Sequence, residues 1–301
     1  MTAQPDFSAF IKKHKLPDSY KEIARQWFLP MAETILALYK QQQGPIVLGI
    51  NGSQGSGKST LADLLVYLLP TMGNISTISL SIDDFYLTRE QRKQLADNVH
   101  PLFLTRGVPG THDVALALET FHNLLHYNGA CKVPRFDKSQ DDRYPLQQWQ
   151  TIDTPPDCII LEGWCVGSEA QQQEKLKTAV NDLEAMEDAD SVWRNHANLQ
   201  LQNSYPELFS QVDIWAMLKA PSFKCVFDWR LEQEEKLRQA INKQEMSTDG
   251  IMDANDIARF IQHYQRITEN TLNTLPDKVH FLYELDEQRN ITKLIRPLTL
   301  I

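Results

Sequence analysis

From residue 44 onward, short apolar runs alternate with longer stretches in which apolar residues recur every three or four positions. The runs Pro45–Ile50, Ile75–Ile82, Cys158–Leu161, Val212–Leu218 and Val279–Leu285 predict strands, being short and rich in aliphatic residues. Leu61, Leu64, Leu65, Leu68 and Leu69 share one helical face just after the first run. Two further helices are predicted from about Phe223 to Lys243 and from about Ala254 to Leu275, separated by the breaker-rich Met246–Met252. Strand and helix in alternation predict an α/β fold, a parallel sheet with helices on both faces.

Two stretches lie outside that rhythm. In residues 1–43, Ile23, Trp27, Met31, Ile35 and Leu38 fall near one helical face, with Pro30 set to break or kink it. They predict a helical N-terminal extension packed on the rest. Ser168 to Gln211, rich in Gln, Asn, Asp and Glu, predicts inserted helices with a solvated face. The expected layout is this extension followed by a single domain over 44–301 with a helical insert at about 168–211.

The stretch GSQGSGKST, Gly52 to Thr60, stands between the first predicted strand and its helix and fits Gly-x4-Gly-Lys-Ser/Thr. In that setting backbone N–H groups and the positive end of the helix dipole face phosphate oxygens. Gly52, Ser53, Gln54, Gly55, Ser56, Gly57, Lys58, Ser59 and Thr60 are therefore the expected nucleotide-binding residues, with Lys58 at the β- and γ-phosphates and Ser59 on Mg²⁺. The second strand ends Ser81-Ile-Asp-Asp-Phe-Tyr86, at the strand end where open parallel sheets bind ligands. Asp83 is expected to be the base that takes a proton from a hydroxyl acceptor, with Asp84 the competing choice. Glu162, closing Ile159-Ile-Leu-Glu, is expected to steady the Mg²⁺. Arg230, on the helix after the fourth strand, is a candidate to stabilise charge on the transferred group.

Charge narrows the partners. Thirty Lys and Arg against 39 Asp and Glu give a net charge of −9, which repels nucleic acid and anionic membranes. An anionic substrate then needs a local exception, and the loops Arg106–Asp113 and Arg135–Arg143 concentrate Arg106, His112, Lys138 and Arg143. The expected acceptor is a small hydroxy acid or other small alcohol, its carboxylate held by Arg106 and Arg143, with Lys138 and His112 beside the reacting hydroxyl and Asp84, Tyr86 and Asp113 close by. Thr111 is the natural N-cap of the helix that begins near Val114, a role open to Asp113 as well. No run approaches the roughly 18 apolar residues of a membrane span, no leader pattern opens the chain, and four scattered cysteines form no C-x-x-C pair. These features lead to the expectation of a reduced cytoplasm. His122 and His126 have metal-like spacing without the glutamate of H-E-x-x-H, and Asn242-Lys243-Gln244-Glu245 lacks the aspartate of a guanine-reading motif, so ATP is the expected nucleotide.

With SIDDFY, RGVPGTHD, FDKS followed by DR, LEGW and WRLEQE in this order behind the phosphate loop, the chain resembles the plant- and fungal-type D-glycerate 3-kinases and their bacterial relatives over roughly residues 44–275. Within the wider uridine kinase and pantothenate kinase group, the resemblance implies sheet order 2-3-1-4-5, ATP with Mg²⁺, a mobile lid at about 223–253, and Asp83 as the base. The alternatives are a nucleoside- or pantothenate-type kinase and an ATP-binding regulatory protein that transfers nothing to a small molecule.

Overall fold

The computed structural model describes residues 5–42, 44–242 and 254–298. Its central sheet has six strands: β1 (Ile46–Gly52), β2 (Thr77–Ser81), β3 (Cys158–Gly163), β4 (Ile214–Lys219), β5 (Phe281–Leu285) and β6 (Ile291–Ile295). Their order is β2-β3-β1-β4-β5-β6, which is the implied 2-3-1-4-5 with one strand added at the edge. The first five are parallel and β6 returns antiparallel to β5. β1 is buried along its whole length, as its unbroken apolar run requires, whereas the outer strand β2 alternates. The register sets Glu162 of β3 beside Ile50 of β1 and Ser81 of β2, so the loops after these three strands converge.

The N-terminal helices cover one side. Helix α1 (Leu29–Gln41) buries Met31, Ala32, Ile35 and Leu36, Phe28 packs edge-on to Tyr283 of β5, and the Tyr283 hydroxyl donates to the Trp27 carbonyl. Pro30 leaves its mark as a π turn over Ala24–Phe28, after which α1 restarts with the proline in its first turn, where a missing N–H costs nothing. Helix α2 (Lys58–Gly73) buries all five predicted leucines.

Helix α3 (Val114–Leu125) is capped by Asp113, whose carboxylate accepts from the Leu116 N–H. Thr111 is instead wholly buried, accepting from the Gly107 N–H and donating to the Val108 carbonyl, so the expected threonine cap is corrected to the aspartate. The stretch Ser168–Gln211 forms short helices and α4 (Val192–Asn203). Its charges are not all solvated as expected: Arg194 is buried against Asp188 at 2.9 Å, and Glu184 is buried against Arg266. Leu183 and Trp193 pack with Leu102, Phe103 and Val108, so the insert backs the loop that holds Arg106. Helices α5 (Phe223–Asn242) and α6 (Ala254–Thr274) match the predicted pair. The connection between them, including part of the expected lid and Lys243-Gln244-Glu245, lies outside the described residues. No helix among the described residues is long and apolar enough to cross a membrane.

Candidate active site

Strand β1 runs into the glycine turn and the turn opens α2. Gly57 sits at the helix N-cap with φ +92°, a conformation that favours glycine, and a Cβ there would meet nothing within 4 Å. The loop therefore borders open space. Three of its side-chain polar groups and one beside it point to a missing partner: among the described residues, Ser53 Oγ, Gln54 Oε1, Ser56 Oγ and the nearby Glu162 Oε2 are buried with no hydrogen-bond partner. Ser59 Oγ donates to Glu162 Oε1 at 2.9 Å, and Lys58 Nζ lies 4.0 Å from Glu162 Oε2. Burial pushes the Glu162 carboxyl above the usual range, opposed by Lys58. A buried hydroxyl–carboxylate pair with one vacant oxygen, next to a lysine, fits a magnesium–phosphate group, since a cation relieves the cost of ionising that carboxylate.

Opposite this loop stands a cavity of about 270 Å³ lined by Gln54, Gly55, Lys58, Ser59, Asp83, Tyr86, Arg106, Lys138, Trp164, Arg230, Phe260 and Tyr264. Asp83 reaches it from the 3-10 turn that follows β2. Its carboxylate accepts from the Tyr86 hydroxyl at 2.8 Å and from Lys138 Nζ at 2.7 Å. Burial alone would raise the Asp83 carboxyl, but Lys138, Lys58 and the Tyr86 hydroxyl outweigh it and hold it at about 2. Burial and Asp83 together push the Tyr86 phenol well above its ordinary value, so Tyr86 remains the donor.

Asp84 behaves differently from its neighbour. It accepts from the Ser81 N–H, from Arg135 Nη1 at 2.7 Å and from the Phe136 N–H, closing a capping box on the turn. It fastens the turn to the Arg135–Phe136 segment and is not among the residues lining the cavity.

The cationic loops meet at the same turn. The Asp113 N–H donates to the Phe85 carbonyl and the Leu87 N–H to the Thr111 carbonyl, so the Asp83–Tyr86 and Arg106–Asp113 segments run side by side. Arg106 lines the cavity with its carbonyl accepting from the Tyr264 hydroxyl at 3.0 Å, while the next carbonyl, of Gly107, accepts from the Trp164 indole at 3.1 Å. Gly107 has φ +136°, and a Cβ there would fall 2.4 Å from the Tyr264 hydroxyl. Lys138 comes from the turn between the short strands Phe136–Asp137 and Asp142–Arg143.

Arg143 is not among the residues lining the cavity. Its guanidinium donates to the Tyr86 carbonyl at 2.8 Å and pairs with Asp113 at 3.2 Å, so Arg143 and Asp113 tie loop to loop in this structure. His112 is buried, stacked on the Tyr86 ring at 4.7 Å, with Nδ1 2.6 Å from the Tyr205 hydroxyl. Burial lowers its pKa to about 4, so the ring is neutral at physiological pH. The ring packs on Tyr86, and its Nε2 is buried with no hydrogen-bond partner among the described residues. Arg230 projects from α5 with its guanidinium 5.9 Å from the Phe260 ring centroid. Trp164, Phe260 and Tyr264, which give the cavity its aromatic side, were not picked out as site residues from sequence; Trp164 stood in the LEGW motif, while α6 reads as an ordinary amphipathic helix.

No protein-family model matches the chain. It is 33% identical over 250 residues to the uncharacterized kinase mug58 of Schizosaccharomyces pombe, covering 80% of this chain and 86% of the relative. It is 30% identical over 260 residues to the chloroplastic D-glycerate 3-kinase of Arabidopsis thaliana, covering 82% of this chain and 54% of that enzyme, so it spans about half of the enzyme's length. The D-glycerate 3-kinase of Cryptococcus neoformans has the same fold, with a TM-score of 0.73 at 22% identity, covering 93% of this chain and 99% of the other.

Proposed function

The chain belongs to the D-glycerate 3-kinase-like family of P-loop kinases, ATP-dependent enzymes that phosphorylate a hydroxyl group, and from that premise we propose that its acceptor is D-glycerate or a closely related small hydroxy acid. The observation that carries the proposal is the position of Asp83. Its carboxylate stands in one cavity with the phosphate-loop residues Lys58 and Ser59 and with Arg106, a cation suited to a carboxylate substrate.

On this reading the loop Gly52–Thr60 binds the ATP phosphates through its N–H groups, and Lys58 draws charge from the β- and γ-phosphates. Ser59 and Glu162 would hold Mg²⁺, which would supply positive charge to offset the negative charge of the phosphates during transfer. Asp83 is a weak base, with its pKa near 2, so it first orients the acceptor hydroxyl and takes the proton as phosphoryl transfer makes that hydroxyl acidic. Arg106 holds the carboxylate and Lys138 lies beside the reacting oxygen. Arg230, on the lid helix α5, stabilises the transferred group. Residues 44–301 act as one kinase domain, the protein works in the cytoplasm, and nucleic acid and membranes are not its partners.

The test is ADP release by the purified protein with ATP and Mg²⁺ against a panel of D-glycerate, other hydroxy acids, pantothenate and nucleosides. D-glycerate giving the highest kcat/KM supports the proposal, and uridine or pantothenate exceeding every hydroxy acid overturns it.

A further inference from the structure

Arg92 is the largest fully buried side chain of the protein among the described residues, although it sits in the polar helix Arg89–Asn98 and nothing in that sequence marks it. Its guanidinium is spent on backbone and on a single carboxylate. Nε donates to the Leu87 carbonyl, Nη1 to the Leu104 carbonyl at 2.9 Å, and Nη2 to the Asp141 carbonyl at 2.6 Å while pairing with Asp141 Oδ2 at 3.0 Å. Asp141 occupies the left-handed region at φ +54°, in the turn that carries Lys138, and its other oxygen, Oδ1, pairs with Arg106 Nη1. Arg106 also stacks on Phe136, 5.5 Å from the ring centroid, and lines the cavity.

Charge around the cavity is therefore uneven. Lys58 faces Glu162 and Lys138 faces Asp83, one cation to one carboxylate. At Arg106, two guanidinium groups share the single carboxylate of Asp141, so the group as a whole is cationic, and Arg106 is the member that lines the cavity. A buried arginine whose four contacts reach three separate segments, at Leu87, Leu104 and Asp141, is costly unless its charge is used, because guanidinium desolvation is not recovered by backbone carbonyls alone.

We propose that Arg92 and Asp141 are specificity-determining positioning residues: Asp141 aims the Arg106 guanidinium at the cavity, and Arg92 neutralises Asp141 so that Arg106 keeps its charge for an anionic group of the acceptor. The proposal rests on the kinase reading above and names what that reading leaves open, the origin of selectivity for an acid over a neutral alcohol. Neither residue touches the reacting atoms.

Asp141→Asn is the sharpest variant, since asparagine tolerates the left-handed turn and keeps the size while losing the charge. With saturating ATP and D-glycerate as the probe, KM for the acid should rise ~10-fold, the order of one charge-assisted hydrogen bond, with kcat changed far less and KM for ATP constant. In the double variant Asp141→Asn with Arg106→Ala, KM should be no higher than in Arg106→Ala alone, because the aspartate acts through the arginine. An unchanged or lowered KM in Asp141→Asn, or effects that add in the double variant, would overturn the proposal. A ligand-free measurement separates its failure from that of the acceptor assignment. The ¹⁵N NMR signal of Arg106 Nε–H, identified by its loss in Arg106→Ala, should be sharp in the wild type and broadened in Asp141→Asn. If that holds while another hydroxy acid replaces D-glycerate as substrate, the acceptor assignment fails and the positioning stands. If the signal is the same in both proteins, the positioning fails whatever the substrate.

Discussion

The two walls of the cavity are built by opposite means. The donor wall is one continuous stretch, β1, the glycine turn and the start of α2, and it holds buried polar atoms with no partner among the described residues at Ser53, Gln54 and Ser56, with Glu162 beside them. The acceptor wall is assembled from the turn after β2, the Arg106 loop, the Lys138 turn and α6, and its charges at Asp83, Lys138 and Arg106 are already paired with one another or with Asp141. A wall with unpartnered polar groups is completed by its ligand, so damage there should remove function at unchanged fold. In a wall whose charges are mutually paired, the ligand must join or displace an existing pair, so damage should divide between binding, rate and stability according to which pair is cut.

The largest effect should come from the donor wall: Lys58→Ala should bring turnover to background while circular dichroism and the thermal midpoint stay near those of the wild type, because on the proposed reading Lys58 serves phosphate and not packing. Activity near wild type in this folded variant would remove the distinction between the walls. Next, Asp83→Asn should lower kcat by ~10²–10⁴ with ATP still bound, the usual contribution of a general base, whereas Asp84→Asn should mainly lower the thermal midpoint by cutting the tie to Arg135. Equal kcat losses in the two would show that the neighbouring aspartates are not divided between chemistry and scaffold. Arg230→Ala should depress kcat by ~10² with a smaller change in KM for ATP, as for loss of a single transition-state donor.

The smallest expected effect concerns pH and belongs to the acceptor side. Burial lowers both His112 and His263 from 6.5 to about 4. Between those limits the unfolded chain carries the extra protons, so unfolding takes protons up and stability rises with pH from about 4 to about 6.5. Thermal midpoints measured across that window should climb with pH, and His112→Gln should flatten the slope. A wild-type midpoint independent of pH there would show that the histidines are not buried neutral. Asp83, held near 2, should add no acid limb to kcat/KM above about pH 4.

The contrast between the walls also explains what could be read from sequence. Gly52 to Thr60 is legible because strand, turn, lysine and helix are consecutive, and Glu162 and Asp83 because each closes a predicted strand of a parallel sheet. Sheet order came with the family resemblance, but β6 was missed because Ile291–Ile295 is a short, half-exposed edge strand behind a polar turn. Asp84, Asp113 and Arg143 share motifs with true cavity residues, and only their partners, 30 to 57 residues away in the chain, make them links between loops. Arg92 and Asp141 carry no local signal at all. One acquires its meaning from complete burial under the loops and the other from a left-handed turn.

The central claim, that Asp83 and the phosphate loop transfer phosphate to a hydroxyl of D-glycerate, is tested most directly by ³¹P NMR of the protein with ATP, Mg²⁺ and D-glycerate or its amide. The account predicts a phosphomonoester of glycerate formed in step with ADP, absent with Lys58→Ala, and far less product from the amide, which keeps the hydroxyls and lacks the carboxylate charge. ADP accompanied by inorganic phosphate alone, or an amide phosphorylated as readily as the acid, would contradict it.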